Sequence, residues 1–179
     1  MKNIILIGSS RSGKTTLARM IKEKNNFYNL LHGDMLKKSF QAYSGEEACN
    51  LKNDFKYRKL IYDIFYNHTK FNKGYYIIET VDIFPEDLVN YDLSETIVIA
   101  LGCTKNTVDE LLKIWENIDN KWLRNKSHDE LKIKAQKVIK TSNFFETECE
   151  KYGIKFIDTS FNRESVLSDL LEEITNEII

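Results

Sequence analysis

The chain has 179 residues, 42% hydrophobic and 30% charged, with a formal net charge of −1. This suggests one soluble globular domain, long enough to bury a proper core. The near-neutral balance, with no long Lys/Arg run, argues against a nucleic-acid surface.

Asn3-Ile-Ile-Leu-Ile7 reads as a buried strand, too short for a signal peptide or a membrane helix, so the expected location is cytoplasmic, with no membrane partner. Directly after it comes Gly8-Ser9-Ser10-Arg11-Ser12-Gly13-Lys14-Thr15, which fits the Walker A pattern of two glycines five apart followed by Lys and a hydroxyl residue. Such a loop turns successive backbone N–H groups inward at the positive end of a helix, a cradle for nucleotide phosphates. Gly8 and Gly13 supply backbone angles that a side chain forbids. Lys14 is expected to bridge the β- and γ-phosphates of ATP, and the Thr15 hydroxyl to bind Mg²⁺. Ser9, Ser10, Arg11, Ser12 and Thr16 complete the nucleotide-contacting stretch, with Arg11 turned to solvent or to the nucleotide's outer edge.

Residues 14–24 form the first predicted helix. Phe27 to His32 reads as the second strand, ending at Gly33-Asp34. Met35 to Tyr43 suits a short helix, and Ser44-Gly-Glu-Glu47 is a capping box opening the next. Tyr57, Leu60, Ile61, Ile64 and Phe65 recur at helical spacing between about Asp54 and His68. Gly74 ends that helix and Tyr75 to Thr80 is the third strand. A loop through Asp82 and Pro85 leads to a fourth strand, Glu95 to Leu101, apolar enough to be covered on both faces. Residues 107–118 form a helix, and 119–128 a polar interruption carrying Lys121, Arg124 and Lys126. Ser127-x-x-Glu130 caps a helix running to about Tyr152. Ile154 to Asp158 is the fifth strand, and Arg163 to Ile178 the closing helix. Alternating strands and helices imply a parallel sheet with right-handed crossovers, an α/β three-layer sandwich formed as a single domain over 1–179.

Ligands in such sheets bind at the carboxyl ends of the strands. That edge collects Gly8–Thr15, Asp34, Glu79 and the loops after Leu101 and Asp158. Glu79 stands where the acid of the Mg²⁺ shell belongs, with Asp82 as the alternative. Asp34 can accept the proton of an acceptor hydroxyl, or simply cap the helix at Met35. Arg124, with Lys121 and Lys126, can stabilise charge on the γ-phosphoryl from a short flap. Arg58 is a candidate grip on an anionic acceptor, or a surface Arg. Cys49, Cys103 and Cys149 are scattered and read as reduced thiols; His32, His68 and His128 show no metal-ligand spacing.

At these residues the chain resembles the nucleoside monophosphate kinase superfamily of P-loop proteins, which includes adenylate, shikimate and gluconate kinases. Beside the P-loop, His32-Gly33-Asp34-Met35-Leu36-Lys37 is similar to the Thr-Gly-Asp-Met-Leu-Arg stretch of adenylate kinases. Those kinases continue after the third strand with Asp-Gly-Phe-Pro-Arg, whereas this chain has Glu79-Thr-Val-Asp-Ile-Phe-Pro-Glu86, with an acid where the Arg would be. The resemblance implies strand order 2-3-1-4-5, an acceptor-binding insertion at about 34–73 and a short lid at about 119–128. It also implies adenine packed near Thr159, Ser160 and Phe161, and an acceptor pocket bounded by Asp34, Lys37, Arg58 and Glu79. The expected activity is an ATP- and Mg²⁺-dependent small-molecule kinase, monomeric or homodimeric, acting on a nucleotide or hydroxyl acceptor. The alternative is a regulatory P-loop protein that binds nucleotide without efficient turnover. A GTPase switch does not fit, since no Gly has Asp three residues before it and no Asn-Lys-x-Asp is present.

Overall fold

The computed structural model describes residues 1–44, 55–116, 123 and 125–178. Five strands form one parallel sheet: β1 (Asn3–Gly8), β2 (Tyr28–His32), β3 (Tyr75–Glu79), β4 (Thr96–Gly102) and β5 (Lys155–Asp158), in the order β2-β3-β1-β4-β5. Seven helices accompany them among the described residues: α1 (Lys14–Lys24), α2 (Gly33–Ser44), α3 (Phe55–Phe71), α4 (Pro85–Leu88), α5 (Val108–Glu116), α6 (His128–Tyr152) and α7 (Arg163–Ile178). Fold class and strand order are those expected from the sequence.

The central strand shows why the sheet needs both layers. Successive side chains of a strand point to opposite faces. Ile4 and Leu6 of β1 join Leu17 and Ile21 of α1 and Leu167, Leu170 and Ile174 of α7 in one buried cluster. Ile5 and Ile7 join Ile61 and Phe65 of α3 and Phe145 of α6 in the other. Each fully buried side chain of this size contributes about 1.5–3 kcal/mol of transfer free energy, so four in a row commit the strand to the interior. β4 is divided the same way, with Ile97, Ile99 and Leu101 on one face and Ala100 on the other.

Local signals set the helix ends. Ser127 Oγ accepts from Glu130 N at 3.3 Å while Glu130 Oε2 accepts from Ser127 N at 2.8 Å, the expected capping box of α6. Gly153, at φ 67°, ends that helix in a left-handed cap. The segment expected as a loop around Pro85 contains the one-turn helix α4, whose entry is fixed by Phe84 N donating to Asp87 Oδ2 at 2.8 Å. One turn is too short to leave a periodic pattern, so the sequence offered only Pro at the first helical position as a sign. Residues 45–47 of the expected capping box and half of the 119–128 segment, 119–122 and 124, lie outside the described residues. No helix among the described residues is long and apolar enough to cross a membrane.

Candidate active site at the carboxyl edge of the sheet

Gly8 ends β1 at φ 122°, and a Cβ there would lie 2.0 Å from the carbonyl oxygen of Leu101. Only a glycine permits β1 and β4 to run this close at the strand end, where Ser9 N donates to that same oxygen at 3.1 Å. The loop then takes left-handed backbone at Arg11 (φ 67°) and Gly13 (φ 100°) before α1 begins at Lys14. Such reversals curl a loop into a concave nest of amides suited to an anion.

Hydrogen bonds hold the loop from behind. Ser12 Oγ donates to Ser9 O at 2.9 Å, and Thr159 Oγ1 lies 2.8 Å from Ser12 O and 2.9 Å from Gly102 O. Ser142 of α6 ties in from the opposite layer, with its Oγ 2.8 Å from Ser9 Oγ and accepting from Cys103 N at 3.0 Å. Ser9 and Ser12 are therefore buried supports, whereas Ser10 and Thr16 are exposed.

Lys14 is 4% exposed, and its ammonium donates to the carbonyls of Gly8 at 3.1 Å and Ser9 at 2.5 Å. Burial lowers its pKa to about 8, an effect partly offset by the negative charges of Glu79, Asp34 and Asp82. At the second position of α1, Thr15 is placed so that its Oγ1 donates to Glu79 Oε2 at 3.1 Å. The other oxygen of Glu79 lies 2.7 Å from His32 Nδ1. A carboxylate only accepts, so the histidine proton sits on Nδ1. This bridge follows from register, because β2 and β3 pair His32 with Glu79 at their carboxyl ends.

Asp34 is exposed in the first turn of α2, which starts at Gly33, so it lies inside the helix rather than at its N-cap. Gly33 is forced small, since a Cβ there would meet Thr80 Oγ1 at 2.3 Å. Lys37 and the buried Asp82 form an ion pair at 3.7 Å. Arg58 is 6% exposed; it donates to Glu86 Oε1 at 2.7 Å and Asp87 Oδ2 at 3.1 Å, over the Phe84 ring at 4.4 Å. The reading of Arg58 as an exposed surface residue is therefore corrected: its guanidinium is buried between two carboxylates. Arg124 and Lys121 lie outside the described residues.

Across the sheet, Ser160 Oγ accepts from Lys105 N at 3.0 Å and Ser160 O accepts from Asn106 Nδ2 at 3.1 Å, joining the loops after β4 and β5. Phe161 beside it is 53% exposed. Cys103 and Cys149 are buried free thiols, with burial pushing the Cys149 thiol up to about 12.

Among the described residues no three His, Cys, Asp or Glu side chains converge as a metal cage. Mg²⁺ in nucleotide sites does not need one, since it takes one or two protein ligands with phosphates and waters. The Thr15–Glu79 pair fits that donor set; Asp82, joined to Lys37, has no such contact with Thr15. Sequence reasoning missed the His32–Glu79 bridge and the Ser142, Thr159 and Asn106 supports. The pairing of His32 with Glu79 was readable once β2 and β3 were taken as parallel neighbours; the Ser142 contact, from 133 residues away, was not.

No family model matches the sequence, and no curated protein matches it either. Solved structures do match its fold. Shikimate kinase from Bacteroides thetaiotaomicron superposes with a TM-score of 0.62 at 18% identity, covering 97% of this chain and 98% of that one. The Aquifex aeolicus enzyme gives 0.55 at 17% identity, covering 98% of both. The Acinetobacter baumannii enzyme, solved in complex with shikimate, gives 0.57 at 16%, covering 99% and 93%.

Proposed function

We propose that this chain, which has the fold of the shikimate kinases, transfers the γ-phosphoryl group of ATP to a hydroxyl-bearing small molecule. One observation carries the reading. A buried lysine is held in the mouth of a glycine-hinged loop, one residue before a hydroxyl that meets an acid from the neighbouring strand. Burying an ammonium on carbonyl oxygens is costly unless an anion completes the site, and a triphosphate supplies that anion.

In this reading the loop amides and Lys14 hold the β- and γ-phosphates, and Lys14 shifts from the Gly8 and Ser9 carbonyls onto phosphate oxygens. Thr15 and Glu79 would hold Mg²⁺, which would supply charge neutralisation at the phosphates. His32 keeps the Glu79 carboxylate in one orientation. Asp34 faces the acceptor side, where it can take the hydroxyl proton as the oxygen attacks phosphorus. Ser160 and Phe161 flank the adenine on the far side. The fold neighbours, named as shikimate kinases, support phosphoryl transfer to a small molecule.

The test is acceptor-dependent ADP release with Mg·ATP across nucleoside monophosphates, sugars and other hydroxyl compounds. Asp34→Asn should lower turnover with the best acceptor while leaving ATP affinity nearly intact. Heat stabilisation by Mg·ATP without release on any acceptor would favour the regulatory alternative.

A further inference from the structure

The strand order places the phosphate loop centrally, with β2 and β3 on one side of β1 and β4 and β5 on the other. In the kinase reading the β2/β3 side is the acceptor half, and its charges are informative. His32 opposite Glu79 brings the ends of β2 and β3 together, and the contact of Gly33 with Thr80 continues that closeness past the strands. Asp34 in the first turn of α2, Glu79 at the end of β3 and Asp82 just beyond it all act on the Lys14 ammonium.

The two cations expected to grip an anionic acceptor are both engaged. Lys37 pairs with Asp82, and Arg58 lies between Glu86 and Asp87, so one guanidinium answers two carboxylates. Counted together, five carboxylates stand against three cations: Asp34, Glu79 and Asp82 share Lys14, Asp82 also meets Lys37, and Glu86 and Asp87 share Arg58. A carboxylate or phosphate on the acceptor would enter this excess of negative charge among the described residues. A second observation points to what would be welcome instead. Asp82 is 4% exposed, one oxygen meets Lys37, and the other, Oδ2, is buried without a hydrogen-bond partner. A buried carboxylate oxygen left in this state is costly, and an N–H donor relieves it.

We infer that the acceptor is a hydroxyl compound bearing an ammonium group, an amino sugar, aminocyclitol or amino alcohol, held by Asp82 and the neighbouring carboxylates. This rests on the kinase reading above and adds the substrate class. The acceptor hydroxyl oxygen forms a bond to the γ-phosphorus as the bond to the β,γ-bridging oxygen breaks. ADP leaves with that electron pair, and the hydroxyl proton passes to Asp34 and then to solvent. The ammonium group does not react; it orients the hydroxyl.

The experiment measures ADP release by the full chain with glucosamine, 2-deoxystreptamine and ethanolamine, against glucose and myo-inositol, and against gluconate, shikimate and AMP. Calorimetry with Mg·ATP runs in parallel. The expected result is a kcat/KM at least tenfold higher for an amino compound than for any anionic one. Asp82→Asn, nearly isosteric, should raise KM for the amino acceptor tenfold or more and lower the preference for amino over neutral acceptors, the ratio of their kcat/KM values, by the same factor. A thermal melt with Mg·ATP verifies that this variant is folded. Preference for gluconate, shikimate or AMP overturns the inference while the kinase reading stands. So does ATP binding with no amino acceptor turned over, or an Asp82→Asn protein that is folded and keeps its amino-acceptor KM. Absence of Mg·ATP binding by the wild-type chain overturns both readings together.

Discussion

His32 Nδ1 lies 2.7 Å from Glu79 Oε1, and the second oxygen of the same carboxylate takes the Thr15 hydroxyl at 3.1 Å. Three elements, β2, β3 and α1, thus meet on one acid. Partners that orient a metal-holding carboxylate typically alter metal affinity by about 10–100-fold when removed. His32→Ala should weaken Mn²⁺ binding in the presence of ADP by that range, read by EPR titration. His32→Gln, which keeps an N–H donor, should restore most of it. Equal Mn²⁺ affinity in wild type and His32→Ala would show that Glu79 needs no such support.

Lys14 gives the site a pH signature. Its folded-state pKa of about 8 lies below the ordinary lysine value of 10.5, with burial the leading cause. Between those values the unfolded chain holds the proton and the folded chain does not, so this group makes stability rise with pH across that window. Phosphate binding needs the charged ammonium, so nucleotide affinity should fall as pH climbs above about 8. Near about pH 9, binding should take up a proton, seen as a buffer-dependent heat when Mg·ATP is titrated in two buffers of different ionisation enthalpy. Heats that agree between buffers would mean Lys14 stays charged throughout.

Two glycines separate a backbone clash from a side-chain clash. At Gly8 an added Cβ meets the Leu101 carbonyl oxygen at 2.0 Å; at Gly33 it meets Thr80 Oγ1 at 2.3 Å. Rotating Thr80 moves its hydroxyl, giving up the bond from Asp82 N at 3.0 Å, and its Cβ, 2.6 Å away, yields only by a shift of the loop after β3; the β4 backbone at Gly8 cannot move without opening the sheet. Gly33→Ala should therefore cost about 1–3 kcal/mol, the usual overpacking range, and Gly8→Ala more. Denaturant melts with the order reversed would contradict this packing.

Arg58 distinguishes structural from acceptor-gripping roles. Asp87 is buried, and burial raises its pKa, with the Arg58 charge among the influences opposing the rise. Removing one partner of a buried ion pair costs about 3–5 kcal/mol because the other charge is left uncompensated. Arg58→Met should destabilise the chain on that scale in urea unfolding. A variant of unchanged stability and weaker acceptor binding would return Arg58 to the acceptor pocket.

Most of the architecture was legible because it is local. The apolar run of β1, the Gly-Lys-Thr turn and the capping box at Ser127–Glu130 each declare themselves within a few residues, and the alternation of elements then fixes a parallel sheet. The short helix at Pro85 was missed because one turn carries no period. The fate of Arg58 was not legible, since its partners Glu86 and Asp87 lie almost thirty residues away on α4. In sequence Glu86 stands where adenylate kinases have an Arg; in the fold it is the acid that receives one. Charge pairing across elements is set by tertiary packing, and a single sequence does not encode it at a readable spacing.

The most direct measurement is calorimetric titration of Mg·ATP into the wild-type chain and into Lys14→Ala. The account predicts clear binding heat for the wild type and a loss of at least about a hundredfold in affinity for the variant, the scale of removing a charge-assisted phosphate contact from a buried site. Equal affinity for both proteins, or no heat with either, would contradict the assignment of Gly8–Thr15 as the phosphate cradle.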